Sequence, residues 1–225
     1  MYYGVDYYPE HWPRERWNVD AQLMQEAGIN LVRMAEFAWA LLEPQEGHYE
    51  FDWLDEAIDL LGQHGIVTIL GTPTATPPAW LCTTYPEIMR VTRDRQRVTF
   101  GMRRQYCPGS ETYRRLSAQI VRAMAEHYAH HQQVIGWQLD NEFGCHDSTR
   151  CYCESCQQRF QRWAEERYKT LDALNQAWGT VFWSHVYNAW DEIPLPWSTG
   201  GVANPCLELD FWRFSSDQIA EYQAL

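Results

Sequence analysis

Four short runs of mostly apolar residues, separated by amphipathic segments, constrain the fold of this chain more than any other feature. The runs cover residues 2–8, 29–35, 66–71 and 134–139, and their aromatic and β-branched content predicts strands. Nearly continuous apolar strands are typical of a sheet that is covered on both faces. A helical pattern follows each of the first three runs, and this alternation predicts a parallel α/β sheet.

The segments between and after the strands carry apolar residues at helical spacing, together with capping and stop signals. Predicted helices cover residues 14–27, 53–64, 156–168, 171–178 and 207–225. Another begins after Ser110, its predicted N-cap, and continues to about Tyr128. Asp52 is the predicted N-cap of the helix over 53–64, and Gly28 is the predicted stop of the first helix.

Two parallel α/β architectures fit this alternation. A doubly wound dinucleotide-binding sheet requires G-x-G-x-x-G after its first strand, but residues 7–12 read YYPEHW. A (β/α)₈ TIM barrel carries its chemistry on the loops after the strands, which is where the polar and aromatic residues of this chain concentrate. A complete barrel needs about 250 residues. Because only four strands precede residue 145, the sequence predicts an incomplete barrel, roughly the first half plus the helices that follow.

Charge and composition limit the partners of the chain. The formal net charge of −12 argues against binding to nucleic acid or to an anionic membrane surface, since both attract basic proteins. No apolar run approaches the roughly 18 residues that indicate a membrane-spanning helix. The first six residues, MYYGVD, lack the features of a secretory signal, so we expect a cytoplasmic location. Seven cysteines in a reducing compartment favour metal binding over disulfides.

The end of the fourth predicted strand carries the strongest catalytic pattern. Residues 137–142 read WQLDNE, which places a carboxylate beside an amide at the C-terminal end of a strand. Glycoside hydrolysis needs one carboxylic acid to protonate the leaving oxygen and a second carboxylate on the other side of the bond. The alternative is that Asp140, Asn141 and Glu142 only cap the segment that follows.

A cluster of cysteines is the second pattern that carries chemistry. Cys151, Cys153 and Cys156 lie within six residues, and three thiols at this spacing suit tetrahedral Zn²⁺. Candidates for the fourth ligand are Cys145 and His146 nearby and Cys107 in the loop after the third strand. Free thiols in a reducing compartment are the alternative interpretation.

Three motifs in the same order resemble glycoside hydrolase family 42. They are GVDYYPEHW at residues 4–12, RMAEFAW at 33–39 and WQLDNEFG at 137–144. This is a family of β-galactosidases built on a (β/α)₈ barrel. The resemblance implies Glu142 as the acid/base and Asn141 as a substrate contact. It also implies Arg103, in MRRQYC at 102–107, as a second sugar contact and Cys107 as the fourth ligand of a structural Zn²⁺.

The resemblance implies further properties of the protein. Residues 1–225 are expected to be the N-terminal portion of a (β/α)₈ catalytic domain that cleaves terminal β-D-galactose from β-galactosides by a retaining mechanism. The nucleophilic Glu of the family lies on the seventh strand, so we expect it beyond the end of this chain and expect the chain alone to be inactive. Family members are often trimers, so a homo-oligomer is expected. Two alternatives are another retaining glycosidase of the same clan and a zinc-stabilised, non-catalytic carbohydrate-binding fragment.

Other polar and aromatic residues near the predicted strand ends have two possible roles. Asp6 and Glu36 either line the pocket as sugar ligands or hold Arg33 in place as ion pairs. The chain has 12 tryptophans, and aromatic faces stack on sugars but also dominate cores. For Trp80 and Trp183 we expect packing in the core or in a loop.

Overall fold

A computed structural model describes residues 1–201 and 203–225, and the chain divides into two compact units. The first unit consists of Met1–Thr84, Met102–Arg104 and Leu116–Glu142. The second consists of Tyr85–Gly101, Gln105–Arg115 and Phe143–Leu225. Among the described helices, none is both long enough and apolar enough to cross a lipid bilayer.

The first unit is organised around a four-stranded parallel sheet. Its strands are β1 (Gly4–Asp6), β2 (Leu31–Met34), β3 (Val67–Gly71) and β4 (Val134–Gln138), in the spatial order β1-β2-β3-β4. The register pairs Asp6 with Arg33, Met34 with Leu70, and Gly71 with Gln138. The C-terminal ends of the strands therefore lie at one edge of the sheet, and the predicted parallel α/β organisation is confirmed.

Helices account for most of the remaining regular structure. The α-helices are α1 (Trp17–Glu26), α2 (Trp39–Leu42), α3 (Asp52–Gln63), α4 (Ala79–Thr84), α5 (Glu111–Tyr128), α6 (Glu154–Tyr168), α7 (Leu171–Trp178) and α8 (Pro205–Gln223). Short 3₁₀ turns cover Pro9–His11, Arg14–Arg16, Pro73–Ala75, Pro86–Ile88, Cys145–Asp147, Phe182–Ser184 and Trp190–Glu192. The segment between β3 and α5 contains α4 and two of these turns.

The predicted helix boundaries were correct where the capping residue makes its own contact. Ser110 accepts a hydrogen bond from the backbone N–H of Tyr113 at 3.3 Å, as expected of an N-cap. Gly28 follows Ala27, the C-cap of α1, and adopts a φ of +77°, a conformation that suits glycine. The prediction for Asp52 was wrong. Phe51 occupies the N-cap of α3, and Asp52 is already its first helical residue, where a carboxylate still favours the helix dipole.

The core of the first unit lies between the sheet and the faces of the helices that cover it. Its fully buried side chains include Val32, Met34, Leu54, Ile58, Leu61, Leu70, Ile120 and Met124. The buried residues of α3 and α5 recur at the three- and four-residue spacing seen in the sequence. Burial of each such side chain stabilises the folded state by about 1.5–3 kcal/mol relative to leaving that side chain in water.

The second unit has an aromatic core formed by α6, α7 and α8. The ring of Phe160 lies 5.5 Å from the rings of both Phe211 and Phe214. The indole N–H of Trp178 donates to the buried carboxylate of Asp210 at 2.9 Å, which satisfies both groups. Trp183 is 73% exposed in the 3₁₀ turn Phe182–Ser184, where its ring stacks on Phe182 and meets the ring of His185 edge-on, so it packs in a loop and not in the core.

Candidate functional site

Charged and amide side chains of the first unit collect at the C-terminal edge of its sheet. Asp6 ends β1, Glu36 follows β2, and Asn141 and Glu142 follow β4. Because the strands are parallel, these positions lie along the same edge of the sheet, although up to 136 residues separate them in the chain. This is the edge at which a TIM barrel positions its reactive groups.

Glu142 forms an ion pair with Arg103 at this edge. The distance between Arg103 Nη2 and Glu142 Oε2 is 2.8 Å, and the two side chains are 34% and 56% exposed. The guanidinium of Arg103 also lies over the ring of Phe37, 5.9 Å from its centroid. The structure thus brings together two residues that the family resemblance indicated in separate sequence motifs. Both charges remain accessible to a ligand.

Asn141 and the preceding Asp140 are buried beside this ion pair. The carboxylate of Asp140 contacts the guanidinium of Arg104 and accepts hydrogen bonds from the Thr74 hydroxyl at 2.8 Å and the Asn141 N–H at 2.6 Å. Arg104 also donates to the carbonyl of Asn141 at 2.5 Å. Asp140 is therefore a buried counterion that fixes the backbone of the neighbouring Asn141. No local sequence pattern indicates that Arg104, rather than Arg103, is the partner of Asp140.

Asp6 and Glu36 both pair with Arg33. Each carboxylate lies 2.9 Å from Arg33 Nη2, and Glu36 is completely buried. The Tyr8 hydroxyl donates to Glu36 Oε1 at 2.8 Å. Burial, together with this hydrogen bond, raises the pKa of Tyr8 to about 12, so the hydroxyl keeps its proton. Of the two roles considered for these carboxylates, the structure shows the one in which they hold Arg33.

Glu10 is a buried carboxyl group that the sequence did not single out. Both of its carboxylate oxygens are inaccessible to solvent and lack a hydrogen-bond partner among the described residues. Burial raises the pKa of Glu10, because removing a carboxylate from water favours the neutral form. Glu10 lies in the 3₁₀ turn Pro9–His11 directly after β1.

Four residues at or beside this edge of the sheet have a strained backbone conformation. Ala35, Arg104, Asp140 and Glu142 have φ values of +80°, +60°, +56° and +49°. Residues other than glycine rarely adopt this left-handed region, and each instance costs about 1–3 kcal/mol. Such strain persists where surrounding contacts impose it, and here those contacts include the Arg104–Asp140 pair.

Four cysteines of the second unit form a compact cluster. The sulfurs of Cys107, Cys151, Cys153 and Cys156 all lie within 4.8 Å of one another. Cys107 Sγ is 3.3 Å from Cys156 Sγ and 3.7 Å from Cys153 Sγ. Cys145 and His146, the other candidates for a fourth ligand, do not belong to this group.

The cluster has the donor chemistry of a structural zinc site. Four sulfurs at 2.3 Å from a central ion lie about 3.8 Å apart, close to the spacings of Cys107. Hydrogen bonds among the four thiols raise the pKa of Cys107 and lower that of Cys153. Four neighbouring thiols cannot ionise together without a cation, whereas Zn²⁺ binds thiolates. The backbone N–H of Val91 donates to Cys151 Sγ at 3.3 Å, a contact that would also support a thiolate.

Comparison with known proteins assigns the family. A family model described as β-galactosidase, that of glycoside hydrolase family 42, matches residues 6–225. The chain belongs to glycoside hydrolase family 42. A β-galactosidase of Thermus thermophilus is 53% identical over 222 residues, which cover 99% of this chain and 34% of the relative. A β-galactosidase of Halorubrum lacusprofundi is 48% identical over 225 residues, covering 100% of this chain and 32% of the relative.

Solved structures of this family have the same fold. The crystal structure of a β-galactosidase from the psychrophilic Marinomonas ef1 matches with a TM-score of 0.95 and 47% identity, covering 99% of this chain and 34% of that one. The family 42 chain described here thus spans about one third of the length of the relatives it matches. These neighbours are TIM barrels, so the parallel sheet is part of a (β/α)₈ barrel and the predicted fold class is confirmed.

Proposed function

We propose that the complete gene product cleaves terminal β-D-galactose from β-galactosides by a retaining double displacement, with Glu142 as the acid/base. The observation that carries this proposal is the accessible Arg103–Glu142 ion pair at the C-terminal edge of the sheet, directly beside buried Asn141. Family membership and the relatives named β-galactosidase support the substrate class.

In the proposed reaction Glu142 acts twice. It first donates a proton to the glycosidic oxygen of the leaving group, and it then takes a proton from the water that releases the sugar. Asn141 and Arg103 contact the galactose ring, and Asn141 donates to the 2-hydroxyl. Arg103 carries several N–H donors, so sugar hydroxyls can replace the carboxylate of Glu142 as its partners and release Glu142 for proton transfer.

We assign the nucleophile to a residue outside these 225. Retention requires two carboxyl groups about 5–5.5 Å apart, and the family resemblance assigns the second to the seventh strand. Residues 1–225 are then the N-terminal portion of the barrel domain. The outer strands of the described sheet, β1 and β4, each have only one neighbouring strand, which leaves backbone groups for pairing with further strands of a barrel.

The test of Glu142 uses the complete gene product. Glu142→Gln should abolish turnover of galactosides with poor leaving groups, such as lactose. With aryl galactosides that release an acidic phenol, the rate of the first step, in which the phenol leaves, should fall less. Azide should restore the turnover of these substrates, because it attacks the intermediate without a general base. The control is Glu126→Gln on the exposed surface of α5, which should leave turnover unchanged. Intact lactose hydrolysis by Glu142→Gln would refute the assignment.

A second test concerns the location of the nucleophile. The 225-residue chain, purified alone, should not hydrolyse aryl β-galactosides, because it contains only one of the two required carboxylates. Measurable hydrolysis that is lost in Glu142→Ala would place the nucleophile within the chain. Faster turnover of aryl glucosides than of galactosides by the complete gene product would instead indicate another glycosidase of the same clan.

We also propose a structural Zn²⁺ held by Cys107, Cys151, Cys153 and Cys156. The metal would join the loop after β3 to the loop after β4, and its binding free energy would add to folding stability. Four thiolate ligands leave no open position for substrate, so no step of the reaction involves the metal. The thiols must stay reduced, which is consistent with a cytoplasmic location. Assembly into a trimer stays a prediction from the family.

A further inference from the structure

A row of hydrogen bonds connects β2 to Asn141. Glu36 pairs with Arg33, and Arg33 Nη1 donates to Gln138 Oε1 at 2.6 Å. Gln138 Nε2 donates to the carbonyl of Asp140 at 2.8 Å and to Asn141 Oδ1 at 3.1 Å. All of these residues belong to the first unit. The proposed reaction assigns no role to Gln138, the last residue of β4.

The donors and acceptors of this row allow only one orientation of the Gln138 amide. A carboxylate accepts hydrogen bonds, and a guanidinium only donates them. Arg33 therefore requires the oxygen of Gln138 on its side, and this turns the NH₂ group of Gln138 towards Asn141. Both hydrogens of that NH₂ group are engaged, one by each oxygen.

The same reasoning fixes the amide of Asn141. Gln138 presents only a donor to it, so Asn141 must turn its oxygen towards Gln138 and its NH₂ group away. Asn141 Nδ2 has no hydrogen-bond partner among the residues that the structure describes. The backbone of Asn141 is held independently by Asp140 and Arg104. The side chain is thus left with a fixed orientation and an unused donor.

We propose that Gln138 is a positioning residue, which holds Asn141 so that its NH₂ group donates to the 2-hydroxyl of the bound galactose. This inference rests on the proposed function, since it needs Asn141 to contact the sugar. Glu36 and Arg33 determine the orientation of the Gln138 amide, and the Gln138 amide in turn determines the orientation of the Asn141 amide. Without Gln138 the Asn141 amide could rotate by 180° and present an acceptor to the sugar.

The decisive variant is Gln138→Glu in the complete gene product. A glutamate at position 138 keeps a partner for Arg33 but faces Asn141 with an acceptor, which favours the rotated amide. Gln138→Met removes the donor without supplying an acceptor. The matched control is Gln132→Glu, the same change at an exposed position just before β4. Thermal unfolding of each variant identifies any that fails to fold, in which case Gln138→Met provides the measurement.

The substrates are an aryl β-galactoside and its 2-deoxy analogue, which lacks the hydroxyl in question. Gln138→Glu should lower kcat/KM for the galactoside by about tenfold or more and change it little for the 2-deoxy analogue, as expected when a single hydrogen bond to substrate is lost. Gln138→Met should lower kcat/KM for the galactoside by about threefold and should likewise change it little for the 2-deoxy analogue. In an Asn141→Ala background, Gln138→Glu should cause no further loss of selectivity.

Equal losses of kcat/KM on both substrates would mean that Gln138 has only a structural role. No loss of kcat/KM on either substrate would mean that the orientation of Asn141 does not depend on Gln138. Either result overturns this inference while leaving the proposed function intact. A wild-type protein that does not prefer the galactoside to the 2-deoxy analogue would instead overturn the Asn141 contact itself, and this inference with it.

Discussion

Gly71, the last residue of β3, is expected to control the position of Glu36. A Cβ added at Gly71 would lie 2.5 Å from the Cβ of Glu36, 2.9 Å from its Cα and 3.0 Å from its backbone nitrogen. Ordinary contact begins near 3.4 Å, so Gly71→Ala must move Glu36 by about 0.9 Å. Two of these atoms belong to backbone, so a rotamer change cannot relieve the clash.

This displacement has a cost in stability and a larger cost in activity. Overpacking of this kind typically destabilises a protein by about 1–3 kcal/mol. A shift near 1 Å at groups that orient the substrate lowers kcat/KM by about one to two orders of magnitude. Glu36 anchors Arg33, so the loss should appear as weaker turnover of aryl β-galactosides.

The matched control is Gly136→Ala, in the neighbouring strand β4. An added Cβ there meets only Ile69 Cγ1, at 3.6 Å, which is ordinary contact. Neither glycine has a positive φ, so the two variants differ only in the space available. The assay measures kcat/KM and the apparent Tm of both variants in the complete gene product. If Gly71→Ala matched Gly136→Ala in both quantities, the steric argument would be wrong.

Four further predictions concern single residues. Asn141→Ala should lower kcat and kcat/KM together by about tenfold or more, measured with aryl β-galactosides, because its bond strengthens in the transition state. Arg103→Ala should mainly raise KM in the same assay. Cys107→Ser should remove zinc from the purified protein, measured by elemental analysis, and should lower the apparent Tm; protein that contains no zinc before mutation would contradict the site. Burial raises the pKa of Glu10 in the folded protein above its ordinary value of 4.5, so its contribution to stability is fully present below pH 4.5 and is lost as the pH rises through the raised pKa. Glu10→Gln should therefore raise the apparent Tm more at pH 8 than at pH 4, and an equal effect at both pH values would contradict this.

The sequence predicted those parts of the fold that depend on local patterns. Ser110 caps α5 as expected, and the apolar stripe of α3 is buried, because both features depend on residues within a few positions of each other. The strands were predicted up to four residues too long. Aromatic and apolar composition continues past the last paired residue, whereas backbone hydrogen bonds between β1 and β2 extend only from Tyr3, which accepts from Asn30, to Tyr7, which donates to Arg33.

Contacts between distant parts of the chain were beyond prediction from sequence. Arg103 and Arg104 are adjacent and chemically identical, yet Arg104 is buried against Asp140 whereas Arg103 remains half exposed beside Glu142. Only the course of the loop after β3 decides which arginine turns inwards. The role of Gln138 depends likewise on Arg33, which is 105 residues away. The cysteine cluster was the exception, because three of its members lie within six residues of one another.

The interleaving of the two units along the chain has a consequence for biosynthesis. β3 and β4 are neighbours in one sheet, yet about sixty residues lie between them, many of which belong to the other unit. A ribosome that adds about 5–20 residues per second needs roughly 3–12 seconds to synthesise them. During this interval the nascent chain carries β3 with an unpaired edge, which is a template for association with other polypeptides. We therefore expect the yield of folded protein to depend on translation speed and on chaperones that shield this edge until β4 emerges.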